Sequence, residues 1–325
     1  MPCRIVVFVN PLSRANRRDP GLAARFAETL DGNASLGQPG KLGRVVATGS
    51  LEELAVEARR LAEAPPELIA IHGGDGTLHR TIAALIHAFA ANPEALPPLA
   101  ILPGGTMNVV ARSLGIQFHP QRTLETLAED MRAGRPIETR VRRCLRVGDS
   151  FGFVFGNGLM ANFLEEYYGK SGYGPRRALW ILTRTFLSAI VRGGYARRMF
   201  RTFAGRVWVD GQPLPWVRLT GLGVATVREV GLGFKLNHRA DEDPDRFSVL
   251  AIHAGPVALA ADLVPVYQGR GIAPRRAWSA VASQLAVEAE APRWSYTIDG
   301  DLYRAEGRIE VGIGPPLRIV RPRRP

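Results

Sequence analysis

Six consecutive residues, His72-Gly73-Gly74-Asp75-Gly76-Thr77, gather three glycines, a carboxylate and a hydroxyl. Glycines let a backbone turn tightly and bring its N–H groups close to phosphoryl oxygens, and a helix starting there adds partial positive charge. The spacing therefore suits a phosphate. A carboxylate beside anionic oxygens is repelled unless a cation bridges them, so Asp75 is read as positioning Mg²⁺ or handling a proton from an acceptor hydroxyl. A plainer reading makes the run a glycine-rich turn with Asp75 as a helix cap.

A second run, Pro103-Gly104-Gly105-Thr106-Met107-Asn108, repeats the arrangement. Thr106 offers a hydroxyl at a helix start and Asn108 an amide that can donate and accept, as a ribose or an adenine edge requires. Asn10-Pro11-Leu12-Ser13 and Thr48 add two further polar loops after strand-like runs. Their convergence on one edge is the argument for a nucleotide site. No Walker phosphate loop is present and no Gly-x-Gly-x-x-Gly follows a strand, which disfavours P-loop NTPases and Rossmann dehydrogenases.

The elements that must position these loops alternate. Strand patterns at 4–9, 44–47, 68–72 and 99–102 are separated by helical patterns at 21–30, 51–62 and 77–90, and a short helix at 107–114 follows. Strict alternation predicts a parallel sheet covered on both faces, an α/β nucleotide domain of Rossmann-like kind. After about Gly134 the texture changes to strands at 139–147, 152–155, 206–209, 218–227 and 247–253, which predicts an antiparallel β domain. The expected division is residues 1–136 with a returning C-terminal segment 308–325, and residues 137–307, carrying a helical insertion at 167–200. Within that insertion, 176–192 is an amphipathic helix whose apolar face is expected to carry Leu179, Trp180, Leu182, Thr183, Phe186, Leu187 and Ile190.

The chain has 325 residues, 46% of them hydrophobic, enough for two cores. Two cysteines, Cys3 and Cys144, cannot make a disulfide framework, and no Cys/His cluster has zinc-ligand spacing. The net charge of +12 favours anionic partners. Only three of the 42 basic residues are lysine, a bias that base composition alone can produce. Apolar stretches are broken by Arg184 in one case and by His253, Pro256 and Asp262 in the other, so no membrane span is expected, and the run from Ile5 to Val9 before Asn10, Pro11, Arg14, Arg17 and Arg18 is too short for a secretory leader. Tyr167, Tyr168, Lys170, Tyr173, Arg176, Arg177, Trp180, Arg184, Arg192, Arg197 and Arg198 mix charge with aromatic rings, as segments meeting an anionic membrane surface do. A solvated basic face on a packed helix is the competing reading.

Taken together, Asn10-Pro11-x-Ser13, Gly73 to Thr77, Pro103-x-Gly105-Thr106-x-Asn108 with Ala111-Arg112-x-Leu114-Gly115-Ile116, and Asp299-Gly300-Asp301 resemble the bacterial diacylglycerol kinase family, related to sphingosine and ceramide kinases. Gly231-Leu232-Gly233, Ala240 and the Asp243/Asp245 stretch resemble the family's glycine turn and acidic loop. The resemblance implies a nucleotide domain and a β-sandwich, with the last strand, near 309–320, returning to the first domain. It implies ATP held by Asn10, Pro11, Ser13, Thr48, Gly73, Gly74, Asp75, Gly76, Thr77, Gly105, Thr106 and Asn108, with Mg²⁺ organised by Asp75. Asp299 and Asp301 match the family's Asp-Gly-Glu and would supply the base toward a lipid hydroxyl.

Departures accompany the match: Arg80 stands where the family usually has Glu, Val109 where it has Asp, Arg14 where it has Gly, and Asp301 is one methylene short of Glu. The expectation is an ATP-dependent lipid kinase, cytoplasmic and peripheral to the inner membrane face, with no nucleic-acid partner and with a homodimer left open. The alternatives are a degenerate homologue acting as a nucleotide or lipid sensor, and a soluble kinase of the NAD-kinase type.

Overall fold

The computed structural model describes residues 3–32, 40–105, 107–116, 118–169, 174–231 and 233–323; Thr106, Lys170, Tyr173 and Leu232 lie outside them. The chain divides into two compact units, residues 1–142 with 315–325, and residues 143–314. Both junctions fall a few residues after the expected 136/137 and 307/308, because the strands Thr139–Val147 and Asp301–Val320 run through them.

The first unit runs β1 (Ile5–Val9), α1 (Arg14–Arg18), α2 (Leu22–Asp31), β2 (Gly43–Ala47), α3 (Leu51–Glu63), β3 (Leu68–Gly73), α4 (Asp75–Ala88), β4 (Leu99–Pro103), α5 (Val109–Ser113), α6 (Pro120–Arg132) and the start of β5 (Thr139–Val147), which continues into the second unit. Every strand pair from β2 to β4 is parallel, in the order β2-β1-β3-β4, as the alternation predicted. Residues Ile5 to Val9 and Leu68 to Gly73 are buried throughout, as strands covered on both faces must be. α3 starts where Ser50 accepts from the Glu53 N–H at 3.1 Å, and the Glu53 carboxylate accepts from the Gly49 N–H, a reciprocal cap that fixes where β2 ends.

Helix α6 escaped the sequence pattern. Leu124, Leu127, Ala128 and Met131 have helical spacing and are buried, but acidic, basic and glutamine residues interleave them and Pro120 reads as a loop signal until it is seen at a helix start. With α2 the helix covers one face of the sheet through Phe26, Leu30, Leu124 and Leu127. The end of the last strand, β15 (Asp301–Val320), belongs to this unit: Ile319 pairs in parallel with Leu99, and Leu317, Ile319 and Val320 are buried.

The second unit contains β6 (Ser150–Gly152), β7 (Val154–Gly158), α7 (Leu159–Tyr168), α8 (Pro175–Ile190), α9 (Gly194–Met199), β8 (Phe203–Val209), β9 (Gln212–Pro213), β10 (Arg218–Leu219), β11 (Gly221–Ala225), β12 (Phe247–Ile252), α10 (Pro256–Ala260), α11 (Leu263–Tyr267), β13 (Ala277–Ala282) and β14 (Gln284–Ile298), with the first part of β15. Its strand pairs are antiparallel, as expected. The first half of β14 pairs with β8 and its last residues with β7, the register shifting between Glu288 and Arg293. That break lets one long strand turn round a core of Phe155, Val207, Leu222, Val224, Phe247, Val249 and Val287.

Five expectations change here. The strand expected at 218–227 is interrupted at Thr220, and that expected at 152–155 at Phe153. Helices begin at Leu159 rather than 167, and α10 and α11, five residues each in an apolar stretch, make too few turns to show a period and were not anticipated. Helix α8 buries Ala178, Ile181, Thr185 and Ala189, while Leu179, Trp180, Leu187 and Ile190 from its expected apolar face are exposed. Small side chains allow the closer approach, so the neighbours claim that stripe. No helix of the described residues is long and apolar enough to cross a membrane.

Candidate phosphate-binding site

Strand order reverses between β1 and β3, since β2 lies outside β1 and β4 outside β3. In such sheets ligands bind beyond the carboxyl ends of the strands at that switch point. Val9, Ala47 and His72 lie in register at the ends of β1, β2 and β3, and His72 with Leu102 in β4. The loops beginning at Asn10, Thr48, Gly73 and Gly104 therefore leave one edge, spread over roughly 15 Å at one strand spacing each. That is the span of a nucleoside triphosphate.

The two glycine runs form a single object. A Cβ on Gly105 would stand 2.5 Å from the Gly74 Cα, and one on Gly74 would stand 3.1 Å from the Gly105 Cα, so these loops lie backbone against backbone and only glycine fits at the crossing. The Gly104 N–H donates to the Gly73 carbonyl at 2.8 Å, which extends the β3–β4 pairing one step into the loops. Gly104 itself rests on the His72 ring, 2.5 Å from a virtual Cβ. His72 is fully buried, its Nδ1 lies 3.1 Å from the Leu102 carbonyl, and its ring packs edge-on against Phe26. Burial pushes its pKa down, opposed by the Leu102 carbonyl. Sequence reasoning gave His72 no part; its place directly before the glycines was the available signal.

Asp75 opens α4 instead of lying in the preceding loop, with Gly74 as the helix cap. Its Oδ1 accepts from the Val110 N–H at 3.3 Å, so the carboxylate ties the start of α4 to the start of α5. Gly76 and Thr77 form the rest of that first turn, where free N–H groups and the dipole of a 14-residue helix favour an anion. The Thr77 side chain folds back over Gly73, where no Cβ could fit.

Asn108 adopts a left-handed backbone, φ 47°, and its side-chain amide accepts from the Gly105 N–H and donates to the Gly105 carbonyl, both at 2.8 Å. Both ends of the amide are thus used in shaping the loop, which is a different task from reading a base edge. Asn10 acts similarly: its Oδ1 accepts from the Leu12 N–H at 2.9 Å, while Asn16 donates to the Asn10 carbonyl and to the Ser13 hydroxyl. Pro11 is exposed at the tip of this turn, and the Thr48 N–H donates to the Val9 carbonyl at 3.0 Å. Thr106 lies outside the described residues.

Asp299 and Asp301 stand in the second unit, at the hairpin between β14 and β15. Asp299 and Gly300 are both left-handed, φ 48° and 90°, the geometry of a two-residue turn. The Asp299 carboxylate accepts from the Phe153 N–H at 2.9 Å and the Val154 N–H at 2.8 Å. It is a clamp on the start of β7. The Tyr168 hydroxyl donates to the Gly300 carbonyl at 2.9 Å and fixes the other side of the turn. Asp301 is half-buried beside it.

Residues 4–138 match the family of the diacylglycerol kinase catalytic domain. The whole chain is similar in fold to a diacylglycerol kinase from Bacillus anthracis str. Sterne, at 16% identity and a TM-score of 0.62, covering 98% of this chain and 96% of that one. Two further structures from that organism, named provisionally as diacylglycerol kinases, give TM-scores of 0.63 and 0.67 at 15% and 16% identity, over 96% of this chain in both cases and 92% and 94% of theirs. No curated protein matches the chain.

Proposed function

Since residues 4–138 match the diacylglycerol kinase catalytic-domain family, we propose that the chain is an ATP-dependent lipid kinase that passes the γ-phosphoryl group to a lipid hydroxyl. The observation that carries the reading is the backbone-to-backbone crossing of Gly74 and Gly105 at the carboxyl edge of the sheet. The Gly104 and Gly105 N–H groups are spent on the Gly73 carbonyl and the Asn108 side chain, so the crossing serves by keeping side chains away from the edge, and the donors and field for a phosphate come from the N-terminus of α4.

Mg²⁺ fits this site as a phosphate-bound ion. Among the described residues no group of three or more His, Cys, Asp or Glu gathers to cage a metal, and Mg²⁺ in phosphoryl transfer usually takes one or two carboxylates plus phosphate oxygens. Asp75 supplies that carboxylate; bound there, the ion would neutralise the triphosphate charge. Asp75 has a second task in holding the Val110 N–H, so the loops stay aligned whether or not nucleotide is present. Phosphoryl transfer depends on positioning and charge stabilisation more than on covalent help from the protein, which suits a site built from fixed loops. Asp301 is assigned the base on its match to the glutamate of the family's Asp-Gly-Glu, while the Asp299 oxygens accept the Phe153 and Val154 N–H groups.

The test is phosphate transfer from labelled ATP with Mg²⁺ to mixed micelles of candidate lipids. Label in the organic extract is expected, and Asp75→Asn is expected to abolish it while leaving the melting temperature close to wild type. An asparagine oxygen still accepts from Val110. Retained turnover in this variant would remove the assigned role, and label transferred to NAD instead of lipid would favour the soluble kinase.

A further inference from the structure

Helix α8 is apolar on two faces, and the described residues cover only one of them. Its buried stripe is Ala178, Ile181, Thr185 and Ala189. On the opposite side Leu179, Trp180, Leu187, Ile190 and the capping Val191 fall within an arc of about 120° at about 100° per residue. They are 61%, 49%, 61%, 75% and 75% exposed. A surface helix normally turns its large apolar residues inward and its small polar ones outward, and this one does the reverse.

The charges on and beside that arc are mostly basic, with the Glu166 carboxylate acting on Tyr195 as the exception. From Tyr167 to Val209 the sequence contains eight arginines and one lysine and no aspartate or glutamate. Arg176 lies within the arc and Arg184 at its edge, the latter held over the Trp180 ring at 5.0 Å and the Tyr195 ring at 4.2 Å. Four of the basic and aromatic residues singled out in the sequence serve the fold instead: Arg177 donates to the Glu166 and Tyr167 carbonyls, the Tyr167 hydroxyl accepts from the Gly174 N–H, Tyr168 donates to the Gly300 carbonyl and Arg197 to the Arg192 carbonyl.

We propose that the outward arc of α8 docks on the surface of an anionic lipid bilayer, with Leu179, Leu187, Ile190 and Val191 entering the acyl boundary. Trp180 sits at the interface, and Arg176, Arg184 and Arg192 meet lipid phosphates. The occupant follows from the mixture of groups. A second copy would set this acid-free segment against itself, arginine to arginine. A nucleic acid would satisfy the arginines but leave large aliphatic side chains in water. An anionic bilayer offers phosphate and hydrocarbon within one helix radius, and long arginines reach the first from beside the second. The inference concerns lipid presentation and goes beyond phosphoryl transfer, so it is tested without nucleotide.

The experiment is vesicle co-sedimentation of the full chain with phosphatidylcholine vesicles, with and without about one-third phosphatidylserine, neither of which carries an acceptor hydroxyl. Binding to the anionic vesicles is expected, weaker by roughly tenfold or more without phosphatidylserine or in about 0.5 M salt. Bromine-labelled acyl chains should quench tryptophan fluorescence, and Trp180→Phe should lose most of that quench. The pair Leu187→Ser and Ile190→Ser should lower affinity roughly tenfold with an unchanged far-ultraviolet spectrum, since both residues are largely exposed. Absent vesicle binding, a serine pair that binds like wild type, or self-association that the serine pair dissolves in place of vesicle binding would each overturn the proposal. A failed kinase assay leaves it standing, and a failed vesicle assay leaves the kinase reading standing.

Discussion

His72 shows how one buried side chain can hold a loop that touches ligand only through its backbone. Its Nδ1 faces the Leu102 carbonyl and its Nε2 has no hydrogen-bond partner among the described residues, the pattern of a neutral imidazole protonated on Nδ1. Burial lowers the pKa and His119 pushes the same way, while the Leu102 carbonyl and Asp19 oppose them. Below the ordinary value of 6.5 the unfolded chain then binds more protons than the folded one. The stability contributed by the neutral ring is complete above about pH 6.5 and declines as pH falls through the depressed folded value. His72→Asn is expected to flatten the acid side of the stability profile by up to about 1.4 kcal/mol per pH unit, read from urea unfolding at a series of pH values. His238 is also lowered by burial and will leave part of the slope in place. The residue types of the phosphate loops were legible because glycine and aspartate act through local backbone geometry. The tasks of Asn10 and Asn108 were not, because an amide that can serve a ligand can equally serve its own loop.

The element that most changes its meaning is the β14–β15 hairpin. Asp299-Gly300 is at once a two-residue turn and half of a motif, and the sequence allowed both readings. In the structure the turn is tied on two sides, by Asp299 to Phe153 and Val154 and by Tyr168 to the Gly300 carbonyl. Asp299→Ala removes the acceptor of two backbone N–H groups and puts a less tolerant residue at φ 48°, so a loss of about 2–3 kcal/mol is expected in chemical denaturation. Asp301→Asn keeps the side chain's size and hydrogen-bonding capacity, so it is expected to cost less stability than Asp299→Ala and to lose phosphoryl transfer. Equal effects of the two substitutions on stability would show that the tasks are not divided in this way. Helices were legible in proportion to their length and contrast: α3 and α4 were read to within two residues at each end, while five-residue α10 and α11 are too short to display a period.

At the scale of the molecule, the two units share one long strand. β15 starts in the second unit beside β14 and finishes in the first, where Leu317 is fully buried and Ile319 pairs with Leu99. The first unit is therefore incomplete without the last residues of the chain. Leu317→Ala is expected to cost about 2–5 kcal/mol, and peptide-resolved hydrogen exchange should show lost protection in β3 and β4 with β12 unchanged. Equal loss in both units would mean that they unfold together.

The sequence by itself determined the alternation of the first unit, the antiparallel texture of the second and the edge from which the glycine loops emerge. Each of these follows from side-chain period and from backbone freedom at glycine, properties that neighbouring residues settle among themselves. Only the tertiary structure decided which face of α8 is covered, that Asp299 is committed to β7, and that Gly74 and Gly105 cross in contact. Those outcomes depend on which volumes and which unpaired N–H groups arrive from residues dozens to more than a hundred positions away, and no local pattern carries that information.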